Sequence, residues 1–232
     1  MALFRPLTLL SALLLAAGAA PAQSPDGEWV SYRDAYRAMV VFEKYGKPKH
    51  LIQHHYQVMA RTKGAPADGL RLTLQGKSMQ LNLPLDGAGR AVFPLLKAAY
   101  DENAALVLNR TLRQFVLRPR VSLVVRADGV YEAAELRAAC EQALNYARYA
   151  DASARGKHCT GVRFGFVATG MAPVVRLRNS ELVGALPVTD GPIFADDPDD
   201  GFRTVLYRFA DAAARGQVVT QDAPLAIAPV FE

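Results

Sequence analysis

The first clear periodic segment of the chain lies between Ser31 and Pro48. Ser31, followed three positions later by Asp34, gives an S-x-x-D pattern that caps a helix N-terminus. The apolar positions then recur at helical spacing and form one stripe, made of Ala35, Ala38, Met39 and Phe42. With Lys44 in the last turn and Gly46 as a left-handed cap, the pattern predicts a helix that ends before Pro48.

Strand patterns follow this helix. Residues 52–62 contain no helix breaker and are predicted to form a strand. Apolar and polar residues alternate over 70–74 and again over 79–83, on either side of a turn at Gly76, which predicts a β-hairpin. The remaining elements expected in this half are a short helix that starts at Pro94 and two strands at 105–108 and 115–125.

The second half of the chain begins with a longer amphipathic stripe after Gly129. Its apolar positions predict a helix and are Leu136, Ala139, Cys140, Ala143 and Ala147. Alternation over 162–166 predicts a strand after that helix. The later elements are expected to be a strand at 174–178, a helix over 202–213 closed by Gly216, and strands at 218–219 and 225–231.

The two halves repeat one order of elements and turn residues. In both halves a Lys-His pair precedes a strand, and a Leu-Pro pair followed by Asp-Gly ends a later strand. We interpret the chain as an α+β protein of two tandem helix-plus-antiparallel-sheet units, residues 23–127 and 128–232, related by internal duplication. Chance recurrence of common turn dipeptides is the alternative.

Residues 1–22 have the features of a secretory signal peptide. Arg5 supplies the positive n-region, an apolar run extends from Leu7 to Ala20, and the triplet that ends at Ala22 fits the cleavage pattern. The run is too short for a membrane anchor, which needs about 20 apolar residues. The sequence therefore predicts a periplasmic or secreted protein without a transmembrane span.

Two cysteines in an exported chain are expected to pair, because the compartment is oxidising. Cys140 lies on the apolar stripe of the second helix, and Cys159 lies just before the next strand. The chain-entropy model gives a bridge that closes a loop of this size about 3 kcal/mol of stabilisation. The alternative is a metal corner at His158 and Cys159, but two adjacent ligands without a C-x-x-C partner make a poor zinc site.

The net charge of +5 raises the question of anionic partners. Four arginines recur at strand-like spacing, namely Arg113, Arg118, Arg120 and Arg126. Attraction to anionic lipid is one interpretation of this spacing. We prefer a solvated strand face, and we expect no nucleic-acid partner because no aromatic residues are interleaved with the arginines.

The sequence after residue 22 contains no G-x-S-x-G, H-E-x-x-H, P-loop or dinucleotide fingerprint. His54 and His55 would point to opposite faces of a strand, and His50 with His54 lacks an acidic third ligand, so no metal and no cofactor are expected. The acidic run from Asp196 to Gly201 fails as a calcium loop, because Pro198 occupies a ligand position. We expect it to form a solvated turn that caps the following helix.

Two segments are similar to exported proteobacterial proteins that carry a domain of unknown function. One segment runs from Val92 to Asn109, and the other runs from Leu136 to Phe166 and ends in V-R-F-G-F. The resemblance implies a small periplasmic or secreted protein with no established activity. It supplies no catalytic residues.

These observations favour a non-enzymatic cell-envelope protein that acts as a binding or structural module. Its partner would be an envelope component or a small ligand, held in the cleft or on the sheet face between the two units, since pockets favour such interfaces. The alternative is a periplasmic hydrolase with paired carboxylates, because spacing in sequence does not reveal spacing in the fold.

Overall fold

The computed structural model describes residues 29–62, 69–178, 183–198, 201–209 and 216–232. The predicted signal peptide lies outside these residues. The described part of the chain contains two long helices, one short helix and three antiparallel sheets, which confirms the α+β class.

The described residues of the first half form seven strands, two α-helices and one short 3-10 helix. Their bounds are β1 (Trp29–Ser31), α1 (Tyr32–Lys44), β2 (Ile52–Ala60), β3 (Leu72–Gln75), β4 (Gln80–Leu83), β5 (Arg90–Ala91), α2 (Lys97–Asp101), β6 (Ala105–Leu108), a 3-10 turn (Leu112–Gln114) and β7 (Phe115–Leu123).

Helix α1 begins as predicted but ends differently. The Asp34 amide donates to Ser31 Oγ at 3.3 Å, so Ser31 is the N-cap. At the other end Tyr45 is the cap and has extended backbone, so the left-handed cap predicted at Gly46 is wrong. Lys49 Nζ donates instead to the Phe42 and Glu43 carbonyls, at 2.5 and 3.1 Å, and satisfies the last turn from outside the helix.

The second half has the same kinds of element. Their bounds are β8 (Val130–Glu132), α3 (Ala133–Ala150), a 3-10 turn (Ala152–Ala154), β9 (Cys159–Phe166), β10 (Val175–Arg178), β11 (Val183–Ala185), β12 (Val188–Gly191), β13 (Phe202–Arg208), β14 (Gln217–Thr220) and β15 (Ala226–Phe231).

The helix predicted over 202–213 is wrong for its described part, because Phe202–Arg208 forms strand β13. Its apolar spacing fits both a helix and a strand, so periodicity alone did not decide it. In the fold, residues 203–208 pair with β9 while 202–205 pair with β12. Val205 and Tyr207 therefore fall on one buried face, and the tertiary pairing overrides the helical spacing.

The central sheet has seven strands in the order β12-β13-β9-β15-β7-β2-β5, and every neighbouring pair is antiparallel. Two four-stranded sheets accompany it, in the orders β1-β6-β3-β4 and β8-β14-β10-β11. Strands of both halves thus share the central sheet. The halves meet where β15 pairs with β7 through Ile227 and Leu123.

The two long helices lie on one face of the central sheet, which we call the front face. Residues of α1, β2 and the first four-stranded sheet form one buried cluster around Tyr32, Tyr56 and Leu74. Residues of α3, β9 and the second four-stranded sheet form another, around Cys140 and Phe164. Each half therefore buries its helix against residues from two sheets.

A third cluster on the front face joins the two helices. Phe42 and Tyr45 of the α1 end pack with Ala143 and Tyr146 of α3, and the His54 ring lies 4.7 Å from the Phe42 ring. Within the described residues His54 Nε2 has no hydrogen-bond partner. Burial, followed by the charges of His55 and Lys49, lowers the pKa of His54 to about 4.

The predicted disulfide is confirmed. Cys140 of α3 is bonded to Cys159 at the start of β9, with 6.1 Å between the Cα atoms. Cys140 is fully buried, so the bridge ties the helix to the central strand of the second half inside its core. Over the described residues no helix is long and apolar enough to cross a membrane.

We expect reduction of the disulfide to lower the free energy of unfolding by about 3 kcal/mol, because the unfolded chain regains the entropy of the closed loop. Urea unfolding of the protein with and without reductant measures this difference. A protein in which Cys140 and Cys159 are both replaced by Ala serves as the control, because reductant should leave its midpoint unchanged. Equal midpoints for the oxidised and reduced natural chain would contradict the expectation.

We expect His54 to make folding stability depend on pH. The unfolded imidazole takes up a proton near pH 6.5 and the folded one only near pH 4, so the unfolded state binds more protons between these values and stability falls as the pH falls. Between pH 7.5 and 5 the loss from His54 is about 2 kcal/mol.

Urea unfolding at both pH values checks this. His54→Phe should lessen the loss by about that amount, and the control His50→Gln should not. If the His54→Phe protein lost as much stability as the natural chain between the two pH values, the assignment to His54 would be refuted.

Candidate functional site

Two neighbouring features occupy the back face of the central sheet, the face turned away from the long helices. The first is a segment that crosses the sheet and is held by ion pairs. The second is an open groove that this segment borders. We describe the segment first, because it shapes the groove.

The crossing segment, residues 192–198, is called the strap below. Ile193 and Phe194 are buried against Ala226 and Ala228 of β15. Small residues on β9 and β15 allow this close approach: a Cβ on Gly165 would lie 2.9 Å from Ile193 Cγ2 and nearer still to its Cγ1 and Cδ1. A larger residue at position 165 would therefore displace the strap.

The far end of the strap is fixed by five side chains that we call the clamp: Gln57, Arg118, Arg120, Asp196 and Asp197. Arg118 donates to Asp197 Oδ1 at 2.6 Å and lies 3.0 Å from Asp196 Oδ2. Arg120 donates to Asp196 Oδ1 at 2.7 Å and also pairs with Asp197. Gln57 donates to Asp197 Oδ2 at 3.1 Å and accepts from Arg120 Nε at 2.7 Å.

The clamp is buried at its centre and open at one side. The side chains of Asp197 and Arg120 are 2% and 11% exposed, whereas Asp196 is 59% exposed. The Arg120 guanidinium also lies 4.3 Å from the centre of the Phe194 ring. Burial alone would raise the pKa of Asp196, but the charges of Arg120 and Arg118 outweigh it, so this pKa lies below its usual range.

A second buried arginine ties the first half to the segment before β15. Arg90 donates to Asp86 Oδ2 and to Ser122 Oγ, both at 2.9 Å, and to the Leu225 carbonyl at 2.5 Å. Only 4% of Arg90 is exposed. Together with the clamp, it links β5 and β7 of the first half to chain segments of the second half.

The arginines predicted to form a solvated strand face are placed differently by the fold. Arg118 and Arg120 point to the back face, where they bind the strap, so that prediction is wrong for both. Arg126 does lie at the surface, where it pairs with Asp128 at 2.9 Å. The solvated turn predicted for the acidic run is also wrong, because Asp197 is buried and a strand follows.

The groove lies in the second half, beside the strap, and has a volume of about 600 Å³. Strand β12 pairs with β13 only as far as Val188 and Val205, so the sheet edge opens at that point. Leu177, Leu186 and Leu206 contribute apolar walls, and Pro192 and Ala195 of the strap line it as well. The volume falls within the range of small-molecule sites, roughly 300–1,000 Å³.

Arg163 of β9 is the charged group that stands out in this groove. It is half-buried, and its Nη1 donates to the Pro192 carbonyl at 3.2 Å. Burial, and then the nearby positive charge of Arg208, lower the pKa of Arg163. Arg208 itself pairs with Glu232 at 2.9 Å. Among the described residues, no carboxylate forms an ion pair with Arg163, although Asp190 also lines the groove.

The histidines singled out in the sequence do not converge. His54 lies in the front-face cluster, His55 lies on the opposite side of β2, and His50 lies 3.5 Å from the Gln142 amide. Within the described ranges, no group of three or more His, Cys, Asp or Glu residues is placed to hold a metal ion.

A smaller cavity of about 120 Å³ lies where the halves meet, lined in part by Leu51, Arg126 and Glu135. The cleft between the units was the place where the sequence led us to expect a ligand. The larger groove lies within the second half instead, and Arg163 was missed because nothing in the sequence distinguishes it from paired surface arginines. Only the strand pairing places it opposite Leu206 and Ala228.

No protein-family model, curated protein or solved structure matches this chain. The function has to be inferred from the geometry of the clamp and the groove.

We expect Asp197→Ala to lower the free energy of unfolding by about 3–5 kcal/mol, because it leaves Arg118 and Arg120 without their buried partner. The control is Asp101→Ala, which removes an exposed partner of Lys97 and should cost about 1 kcal/mol or less. Urea unfolding at pH 7 measures both. Similar small losses for the two variants would contradict a structural role for the clamp.

Proposed function

We propose that this chain is a non-enzymatic binding module of the cell envelope, and that its groove holds a small ligand. The observation that carries the proposal is Arg163, which has no ion pair with a carboxylate among the described residues and lies in a groove of about 600 Å³ with walls of leucine and proline. A half-buried charge is costly unless it is paired, so such a site favours an anion.

Export to the periplasm or secretion is part of the proposal. The signal-peptide pattern of residues 1–22 supports it, and the Cys140–Cys159 bridge suits an oxidising compartment. The resemblance to exported proteobacterial proteins remains a prediction.

We also infer that the chain arose by tandem duplication of one unit. The order of the two four-stranded sheets supports this. If β13 is counted as an insertion, then β8, β14, β10 and β11 hold the places of β1, β6, β3 and β4. The prolines in β7 and β15 support it as well. Pro119 of β7 lies opposite Tyr56 of β2, and Pro229 of β15 lies opposite Val162 of β9. Strand β9 follows helix α3 as β2 follows α1.

The hydrolase alternative has less support. A carboxylate pair that works as acid and base needs one protonated member and one ionised member. Asp196 and Asp197 are adjacent, but both bind the Arg118 and Arg120 guanidiniums, and the pKa of Asp196 is lowered rather than raised. Their geometry suits a structural clamp.

Titration of small ligands into the natural chain, and into a variant whose groove is filled by a larger side chain, tests the proposal. We expect amide NMR signals of Arg163, Thr189 and Thr204 to shift when a panel of small carboxylates, phosphates and neutral analogues is titrated. At least one compound should shift them in the natural chain, and none should do so in Leu206→Trp, whose indole fills the groove.

The matched control is Leu81→Trp, which places the same side chain on an exposed position of β4 and should leave the shifts unchanged. If no compound in the panel shifts the groove signals, or if Leu206→Trp responds like the natural chain, the groove is not a binding site.

A further inference from the structure

We infer that the groove takes a monocarboxylate with an apolar body, such as a medium-chain fatty acid. This inference rests on the proposed binding function and names its ligand class. Three properties of the groove carry it: its balance of charge, the hydrogen bonding of its polar groups and the nature of its walls.

The charge balance favours a ligand with one negative charge. Arg163 has no carboxylate partner among the described residues, whereas the charge of Arg208 is offset by Glu232 at 2.9 Å. Asp190 lines the groove as well, and its carboxylate would repel a dianion more strongly than a monoanion. A single guanidinium without an ion pair, in a groove that also holds an acidic residue, therefore matches a carboxylate better than a phosphate dianion.

The Arg163 guanidinium is held in place before a ligand arrives. Its Nη1 is bound to the Pro192 carbonyl, so the strap orients the planar group. A guanidinium can form the two parallel hydrogen bonds that a carboxylate accepts, and the contact with Pro192 favours one orientation of it. The clamp holds the strap, and so it also fixes the carbonyl that orients Arg163.

The other polar groups of the groove are already satisfied by each other. The hydroxyl oxygens of Thr189 and Thr204 lie 3.2 Å apart, and each hydroxyl also donates to the other residue's carbonyl, at 3.4 and 3.3 Å. These two hydroxyl groups therefore offer few hydrogen bonds to a ligand. A ligand rich in hydroxyl groups, such as a sugar, would lose its bonds to water without replacement.

The walls favour a ligand that continues beyond the carboxylate as a hydrocarbon. They include Leu177, Leu186, Pro187 and Leu206. A bare small acid such as acetate would leave these walls in contact with water. An alkyl chain would cover them and gain free energy with each buried methylene, before the cost of ordering the chain.

Calorimetric titration of the full mature chain with octanoate, 1-octanol, octyl phosphate and acetate tests the ligand class. We expect octanoate to bind at least about tenfold more tightly than each of the other three. Octanol cannot form the charge-assisted pair, acetate has no alkyl chain to cover the walls, and the second negative charge of octyl phosphate is repelled by Asp190. Arg163→Ala and Arg163→Gln should both reduce octanoate binding to the level of octanol. The control Arg176→Ala, an exposed arginine beside Leu177 on β10, should bind octanoate like the natural chain.

The possible results separate the ligand class from the binding function. Equal binding of octanoate and octanol, or tighter binding of octyl phosphate or acetate, would overturn the monocarboxylate while the groove remains a binding site. If octanoate binds but the Arg163 variants bind it unchanged, the inference about Arg163 fails. If none of the four compounds binds, the monocarboxylate is overturned, and the Leu206→Trp experiment then decides whether the groove binds any ligand.

Discussion

The clamp between β7 and the strap is the interaction on which the back face of this protein depends. Two arginines and two aspartates meet there with Gln57, and the central carboxylate is almost fully buried. A buried ion pair is weak evidence of stability, because desolvation offsets much of the attraction. Its geometric requirement is strict, however, since both charges must be present and correctly placed. The clamp therefore fixes where the strap crosses the sheet.

The position of the strap in turn decides what the back face can bind. Ile193 and Phe194 cover the small residues of β9 and β15, while Pro192 and Ala195 form one side of the groove. The Pro192 carbonyl also orients Arg163. The clamp on β2 and β7 of the first half thus positions one wall of the groove in the second half. All residues that line the groove come from the second half, but the strap is held there by side chains of the first.

The front face is held together by other interactions than the back face. There the two helices are held by apolar burial and by the aromatic cluster around Phe42 and Tyr146, with the disulfide inside the second core. His54 is the polar exception, and its low pKa reflects burial among aromatic rings. Acid therefore weakens the front face through His54. On the back face, acid acts through His55, whose pKa burial also lowers, and through the Asp196 carboxylate of the clamp.

The sequence by itself determined the α+β class, the start of α1, most strand positions and the disulfide. These follow from local periodicity, capping chemistry and compartment, which act over short stretches of chain. Only the tertiary structure decided that Phe202–Arg208 is a strand, because pairing on both sides outweighed a helical spacing. It also decided that Arg118 and Arg120 face Asp196 and Asp197 rather than water. Contacts between residues more than 70 positions apart leave no periodic signal, so the clamp could not be derived from the pattern of one chain. The groove depends on the strap that the clamp holds, so it could not be derived either.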